Sequence, residues 1–277
     1  QNILWWAWAI DLAAYIALAL GACAFARLVL ASILPQLEQV QVALMAGVAA
    51  SLVVCAGAVV WAAMSGMETV LMAALAMWTI YAVAATHFRS LDDFNRVRVW
   101  HAAILAVLAA LTRPEGAILA GLVALWIMFS RGAHGSPGGL AQRIAMVALI
   151  GVSIVAQPTI NWLMTGAATA SGFVAKTWLN HMPPFPALIA TRIAETFADT
   201  WLNMLSGYRR FLMAPLLAAL GIGLCAVGVV RAAQRRAVNW PMAIGGAWVM
   251  GGTIATSLLY TAGWHYSRYA VQFVALL

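Results

Sequence analysis

Apolar runs long enough to cross a membrane recur along almost the whole chain. Of 277 residues, 65% are hydrophobic and only 8% are charged, and the mean hydropathy is +0.92. A helix needs about 20 apolar residues to cross a hydrocarbon core about 30 Å thick. We place such helices at 4–26, 42–63, 66–87, 143–164, 209–230 and 240–260, with another starting near 269. The sequence therefore predicts an all-α fold, a polytopic transmembrane helical bundle.

Two shorter apolar segments, 100–111 and 116–129, are expected to form a hairpin rather than two full spans. Its tip, residues 113–115, would lie below the membrane surface. With this hairpin the chain has about eight or nine membrane helices. Residues 1–277 are expected to form one transmembrane domain truncated at both ends, because Gln1 already lies in an apolar run and the run before Leu277 is too short to span.

The basic residues predict how the chain threads the membrane. Nine of the fifteen Lys and Arg residues fall in short connections on one side, namely Arg27, Arg89, Arg96, Arg98, Arg131, Arg143, Arg231, Arg235 and Arg236. Short loops rich in Lys and Arg stay in the cytoplasm. These connections are therefore predicted to be cytoplasmic, while Gln1 and the long segment 165–208 lie outside.

The outer segment 165–208 contains an amphipathic stretch. Apolar side chains repeat every four residues at Ile189, Ile193, Phe197, Trp201 and Leu205. Polar side chains, among them Arg192, Glu195 and Asp199, occupy the other side of the same helix. This pattern predicts a helix lying in the outer membrane interface.

Three short polar clusters interrupt the apolar runs, at 65–69, 112–116 and 264–269. The threading puts all three on the outer face. Charged groups at membrane depth cost roughly 2.5–3.5 kcal/mol each on insertion scales, so they mark function by default. Their convergence on one face predicts a site there.

The first two clusters have the spacing of a capping box, with Ser65 followed by Glu68 and Thr112 followed by Glu115. In the simplest interpretation the two carboxylates only start two inward-running helices. The same helix N-termini could also bind a phosphate through their free N–H groups. Arg113 is unfavourable at a helix N-terminus, so it should bind an anion, pair with Glu115 or Glu68, or extend towards water.

Four further residues are candidates with alternative roles. Lys176, the only lysine, suits an anionic headgroup or a diphosphate, or it is an interfacial lysine. His265 and Arg268 are either polar contacts in a site or members of an aromatic belt. Asp11 lies inside the first apolar helix, where it must pair or take up a proton.

Metal and nucleotide chemistry have no support in the sequence. His and Cys residues lack metal-ligand spacing, and there is no Gly-rich phosphate loop. Cys23, Cys55 and Cys225 lie in apolar helices, where a thiol behaves as a small hydrophobic group. We therefore expect no metal and no cofactor. The net charge of +7 reflects topology, so no nucleic-acid partner is expected.

The order of four short motifs resembles a known family. These are Ser-Gly-Met-Glu-Thr at 65–69, Thr-Arg-Pro-Glu-Gly at 112–116, Ala-Lys-Thr at 175–177 and His-x-x-Arg-Tyr at 265–269. Together they resemble the bacterial polytopic glycosyltransferases of the GT-C superfamily, nearest to the arabinofuranosyltransferase and protein-mannosyltransferase-like branch. The first two motifs are the most specific.

The resemblance implies transfer of a sugar from a polyprenyl-phosphate donor to a hydroxyl of a glycan, lipid or protein acceptor. The reaction would take place on the outer face of the bacterial cytoplasmic membrane, among membrane lipids. It implies substrate contacts by Arg113, Lys176, His265 and Arg268, oriented by Glu68 and Glu115. The main catalytic carboxylate of the family would lie upstream of Gln1.

Within the chain, the candidates for a catalytic carboxylate are Glu68, Glu115 and Asp11. The alternative function is a transporter or lipid flippase without transferase activity. Such proteins often carry inverted repeats and broken helices that meet near the membrane midplane. A non-catalytic membrane scaffold is the third possibility, but it would leave Arg113 and Glu115 without a purpose.

Overall fold

The fold is all-α, as the sequence predicts. The computed structural model describes residues 2–65, 68–88, 92–129, 139–168, 176–180, 185–206, 240–259 and 271–274. In these ranges the regular elements are helices, and the only β-structure is an isolated antiparallel bridge between Thr177 and Leu259. The helices are α1 (Asn2–Ile33), α2 (Gln39–Val54), α3 (Gly57–Met64), α4 (Thr69–Phe88), α5 (Asp92–Thr112), α6 (Gly116–Phe129), α7 (Leu140–Thr165), a 3-10 turn (Trp178–Asn180), α8 (Pro186–Ser206), α9 (Trp240–Ser257) and the short α10 (Val271–Val274).

Helix α4 forms the centre of the bundle. Of its apolar window 72% is buried inside the protein, against 22% for α1 and 17% for α7. Most of its buried residues are alanines and other small or apolar side chains, which let neighbouring helices approach closely. The indole Nε1 of Trp78 donates a hydrogen bond of 2.8 Å to the Ala17 carbonyl and ties α1 to α4. The middle of α4 is therefore held against α1.

Several helices are suited to cross a membrane. Helices α1, α4 and α7 contain spans that are long and apolar enough, and α2 with α3 would add a fourth as one bent span. Helices α1 and α7 turn large apolar side chains outward, with Trp6 and Leu163 each 70% exposed. Contiguous apolar surface on this scale is rare on soluble proteins. The architecture is consistent with membrane integration.

The two ends of the bundle carry different groups. Arg98 donates to the Ala85 carbonyl at 3.2 Å, so the junction of α4 and α5 lies at one end. Arg113 donates to the Thr69 hydroxyl at 3.2 Å, so the start of α4 and the end of α5 lie at the other. We call this second end the motif end.

Helix α9 brings another segment to the motif end. A Cβ built at Gly245 would lie 3.7 Å from Ile80, in the middle of α4, and one at Gly251 would lie 3.3 Å from Ile118, in the first turn of α6. Helix α9 therefore runs towards the motif end. There the Trp178 amide donates to the Leu258 carbonyl at 2.8 Å, which places the segment 176–180 at this end as well.

The predicted single helix over 42–63 is wrong. The chain forms α2 and α3, which meet at a bend of 61°. The Tyr15 hydroxyl donates a 2.7 Å hydrogen bond to the Val54 carbonyl, the last of α2. Because a helix end leaves carbonyls without an intrahelical partner, this side chain stabilises the break.

Two connections are also shorter than predicted. Helix α1 continues to Ile33 and α5 already begins at Asp92, so Arg27 and Arg98 lie in terminal parts of helices rather than in loops. Both remain at the end opposite the motif end. The predicted helix 209–230 and the loops carrying Arg131 and Arg231 lie outside the described residues.

The predicted amphipathic stretch forms helix α8. Its Ile189, Ile193, Phe197 and Trp201 are all partly buried, and the helix packs against α9. On the exposed side Arg192 pairs with Glu195 at 2.8 Å. The helix prediction is confirmed, while its position at a membrane interface stays a prediction.

Candidate functional site

The tip of the α5–α6 hairpin is built by backward hydrogen bonds rather than by a capping box. The Thr112 hydroxyl donates to the Leu108 carbonyl at 2.7 Å, one turn back in α5. The Arg113 amide donates to the Ala109 carbonyl at 3.2 Å, and the Gly116 amide donates to the Arg113 carbonyl at 2.9 Å. The predicted capping by Thr112 is therefore wrong, since its hydroxyl closes the preceding helix.

A close approach at Gly116 makes the hairpin tight. A Cβ at this position would collide with the Ala109 carbonyl and would lie 2.9 Å from the Ala110 nitrogen. These are backbone atoms, which cannot rotate away as a side chain can. Glycine at position 116 therefore allows α6 to start directly against α5, with Arg113 folded into the protein between them.

The first polar cluster also departs from the capping-box prediction. Ser65 ends α3, and its hydroxyl donates back to the Ala62 carbonyl at 2.7 Å. Glu68 precedes α4, and its carbonyl accepts the Met72 amide at 2.9 Å, as expected for the residue before a helix. Its side chain turns to Arg113 instead of to its own helix. The two motifs thus meet through side chains.

Arg113 binds two carboxylates and a hydroxyl. Its Nε and Nη2 each lie 3.2 Å from the two oxygens of Glu115, a bidentate contact. Its Nη1 donates to Glu68 Oε1 at 3.1 Å and to Thr69 Oγ1 at 3.2 Å. The pairing of Arg113 with Glu115 or Glu68, one of the predicted alternatives, is present with both. Sequence reasoning assigned no role to Thr69, and its position beside Glu68 was the available signal.

Burial divides this group into a core and an accessible edge. The side chain of Arg113 is 8% exposed and that of Glu115 is 12% exposed, whereas that of Glu68 is 55% exposed. A buried guanidinium is stable only when its donors are paired with good geometry. The Arg113–Glu115 pair is therefore a fixed element, and Glu68 is the carboxylate that a ligand can reach.

Asp11 adds a third carboxylate at the motif end. It lies in α1 and is 3% exposed, and within the described residues its Oδ2 has no hydrogen-bond partner. Helix α1 packs against the start of α4, where Ala14 and Val70 belong to one buried apolar cluster. The sequence indicated that a charge in this helix is costly, but gave no sign that Asp11 lies near the start of α4. We call Asp11, Glu68, Thr69, Arg113 and Glu115 the Arg113 cluster.

Lys176 also lies at the motif end, in the segment 176–180 that contacts the end of α9. It is half-buried and precedes Thr177, which bridges to Leu259. Among the described residues no hydrogen bond or ion pair joins Lys176 to Arg113 or Glu68. One cavity shared by these three residues stays a prediction. His265 and Arg268 lie outside the described residues.

The Arg113 cluster is acidic as a whole. Asp11, Glu68 and Glu115 carry three negative charges when ionised, against one positive charge on Arg113. In the part of the chain that the structure describes, no three His, Cys, Asp or Glu side chains group as metal ligands. The arrangement can accept hydrogen bonds and a proton, and it holds its one cation internally. Comparisons with protein-family models, with curated proteins and with solved structures give no match to this chain.

Proposed function

We propose that the chain is part of an integral membrane glycosyltransferase that moves a sugar from a polyprenyl-phosphate donor to an acceptor hydroxyl on the extracytoplasmic face. The observation that carries this proposal is the contact of Arg113 with both Glu68 and Glu115. It joins the two motifs on which the GT-C resemblance chiefly rests, 65–69 and 112–116, at one end of a helical bundle.

The proposed threading puts the motif end outside the bacterial cytoplasmic membrane. The bundle would contain about eight or nine membrane helices, including the α5–α6 hairpin, and α8 would lie in the outer interface. Supporting this, the arginines Arg27 and Arg98 lie at the opposite end, as expected for a cytoplasmic side. The apolar surfaces of α1 and α7 would face membrane lipids.

The proposed roles follow the charges. The donor's phosphate needs cations, and Lys176 and Arg268 are the candidates, with His265 as a polar contact. Arg113 was also expected to bind phosphate, but its guanidinium is bound to Glu115, Glu68 and Thr69. We therefore assign Arg113 the task of holding the carboxylates in place. Cations at the departing phosphate would stabilise the negative charge that develops there.

Binding of a lipid phosphate provides the first test. The full chain in nanodiscs should bind undecaprenyl phosphate more tightly than undecaprenol, measured by native mass spectrometry. Loss of a charge-assisted hydrogen bond costs about 1.5–3 kcal/mol, so Lys176→Ala should weaken phosphate binding about 10- to 100-fold. Arg192→Ala, which removes an exposed cation on α8, is the matched control and should bind normally. Equal affinity for the alcohol and the phosphate would contradict the proposal.

A transporter or lipid flippase is the second candidate, and Asp11 is the observation that favours it. Buried carboxylates inside membrane helices also occur in proton and ion pathways. Proteoliposomes supplied with a polyprenyl-phosphate sugar and an acceptor distinguish the two functions. A covalent glycoside product with release of the lipid phosphate supports the transferase. Movement of the intact lipid-linked sugar across the bilayer, without product, supports the transporter.

A further inference from the structure

We infer that the Arg113 cluster binds the acceptor hydroxyl, with Glu68 as the group that takes its proton, and that the donor's phosphate binds elsewhere at the motif end. This inference rests on the proposed function and deepens it. It assigns the two substrates to different parts of the motif end and gives the catalytic role to Glu68, in place of the carboxylate that the family resemblance puts upstream of Gln1.

The charge of the cluster selects the ligand. Glu68 and Glu115 face one guanidinium, so the cluster repels a phosphate and attracts groups that donate hydrogen bonds. The Arg113 guanidinium is already engaged, because its Nε, Nη1 and Nη2 donate to Glu115, Glu68 and Thr69. A sugar hydroxyl, which donates a hydrogen bond and carries no charge, suits this surface.

The geometry of Glu68 suits a proton acceptor. Arg113 Nη1 contacts Oε1 of Glu68 at 3.1 Å and fixes the orientation of the carboxylate. The Glu68 side chain is 55% exposed, so a ligand can approach the carboxylate from the open side. General bases need a fixed position and access to the proton that they remove. Arg113 and Glu115 are positioning residues in this scheme, since they act on the acceptor through Glu68.

Asp11 is an independent sign of a hydrogen-bond donor missing from the cluster. It belongs to a different helix, it is 3% exposed, and its Oδ2 has no hydrogen-bond partner among the described residues. Buried polar atoms are almost always paired, so the unpaired carboxylate oxygen of Asp11 at the motif end indicates a place for a donor. A ligand hydroxyl, or a water bridging to it, supplies the required hydrogen.

The proposed reaction step is balanced. The acceptor hydroxyl gives its proton to the Glu68 carboxylate, and its oxygen forms a bond to the anomeric carbon of the donor sugar. The bond between the anomeric carbon and the phosphate oxygen breaks, and its electron pair leaves with the polyprenyl phosphate. Glu68 then returns the proton to water. No metal or redox partner is required.

The test compares two ligands on the same protein. A panel of methyl pentofuranosides and methyl hexopyranosides, measured by saturation-transfer NMR on the full chain in nanodiscs, reports acceptor binding. Undecaprenyl phosphate reports donor binding. Glu68→Gln should weaken binding of the best glycoside about 10- to 100-fold and leave undecaprenyl phosphate binding undiminished. Glu195→Gln, the same change in the exposed α8 ion pair, should alter neither.

Arg113→Lys separates positioning from folding. A positioning role predicts weaker glycoside binding with unchanged affinity for undecaprenyl phosphate, whereas a folding defect weakens both. Equal weakening of both ligands, or normal glycoside binding in Glu68→Gln, would overturn the inference. Failure of the unmodified chain to bind undecaprenyl phosphate would instead refute the proposed function, so the two failures are distinguishable.

Discussion

Arg113 and Glu115 form a bidentate ion pair across the tip of one hairpin, with both nitrogen–oxygen distances at 3.2 Å. Pro114 is the single residue between them. The pair is local, so it forms as soon as α5 and α6 meet. Its remaining contact, from Arg113 to Glu68, spans 45 residues and joins this hairpin to the start of α4. The same guanidinium therefore stabilises the hairpin and orders the Glu68 side chain.

Replacing Arg113 should destabilise the protein strongly. Arg113→Ala leaves Glu115 nearly buried without its partner, and loss of one member of a buried pair costs about 3–5 kcal/mol. Arg113→Lys should recover part of this, because an ammonium keeps the charge but not the planar two-point contact. Thermal unfolding in nanodiscs measures the effect. The control Arg192→Ala should cost less than about 1 kcal/mol, since that ion pair is half exposed. Similar losses in both variants would contradict a structural role for the buried pair.

Substitutions of the two glutamates should differ in their effects on stability and on activity. Glu115→Gln removes the carboxylate that binds Arg113 at two points, so it should lower the midpoint of thermal unfolding more than Glu68→Gln does. Glu68→Gln should be folded yet poor in sugar transfer, because its carboxylate is the accessible one. Thermal unfolding and sugar-transfer assays on both variants test whether Glu115→Gln has the larger effect on stability and whether Glu68→Gln lowers transfer. A Glu68→Gln protein that transfers sugar normally would remove the catalytic role.

Gly116→Ala should be among the most harmful single changes in the hairpin. The added Cβ collides with the Ala109 backbone, so α6 must move away from α5. We expect a loss of about 1–3 kcal/mol, as for overpacking in a protein core. Gly121→Ala is the matched control in the same helix, because a Cβ there meets nothing within 4 Å. Thermal unfolding of both variants measures the loss of stability. An equal loss in the two variants would contradict the close approach of α6 to α5 at Gly116.

The sequence predicted the helical class and much of the motif end for physical reasons that can be traced. The two apolar segments and the polar residues between them predicted the hairpin, because apolar helices are favoured inside a membrane and the polar residues are favoured at the turn. The spacing of Ser65 and Glu68 led to a wrong prediction of a capping box. A serine hydroxyl between two helices can bond to the end of the preceding helix, as Ser65 does, or to the start of the next one. Local spacing alone does not distinguish these two hydrogen bonds.

Other features depend on contacts between distant parts of the chain and were not predictable locally. The bend between α2 and α3 involves Tyr15, 39 residues before Val54. The position of Asp11 at the motif end depends on how α1 packs against α4. For Arg113 the sequence predicted a choice between an anion, a glutamate partner and water. Burial of the Arg113 side chain determines which of these it contacts. Burial is a property of the packed bundle.

The opposite ends of the bundle should lie on opposite sides of the membrane. Gly139, at the start of α7, and Asn180, at the motif end, are both exposed. In a background without Cys23, Cys55 and Cys225, a cysteine at 180 should react with a membrane-impermeant thiol reagent in intact cells. A cysteine at 139 should react only after the membrane is opened. Labelling of 139 in intact cells, with 180 protected, would reverse the proposed threading.

Asp11→Asn should leave the protein at least as stable as before, which is unusual for a change at a 97% buried residue. The substitution keeps the size of the side chain and removes a buried carboxylate charge that lacks a hydrogen bond at Oδ2. Buried charges without partners cost free energy, so their removal is neutral or favourable. Asp199→Asn, at an exposed position of α8, is the control and should change the unfolding free energy by less than about 0.5 kcal/mol. Thermal unfolding in nanodiscs measures both variants. A marked loss of stability in Asp11→Asn alone would mean that the carboxylate charge is paired in the native protein, and Asp11 would no longer indicate a missing hydrogen-bond donor at the motif end.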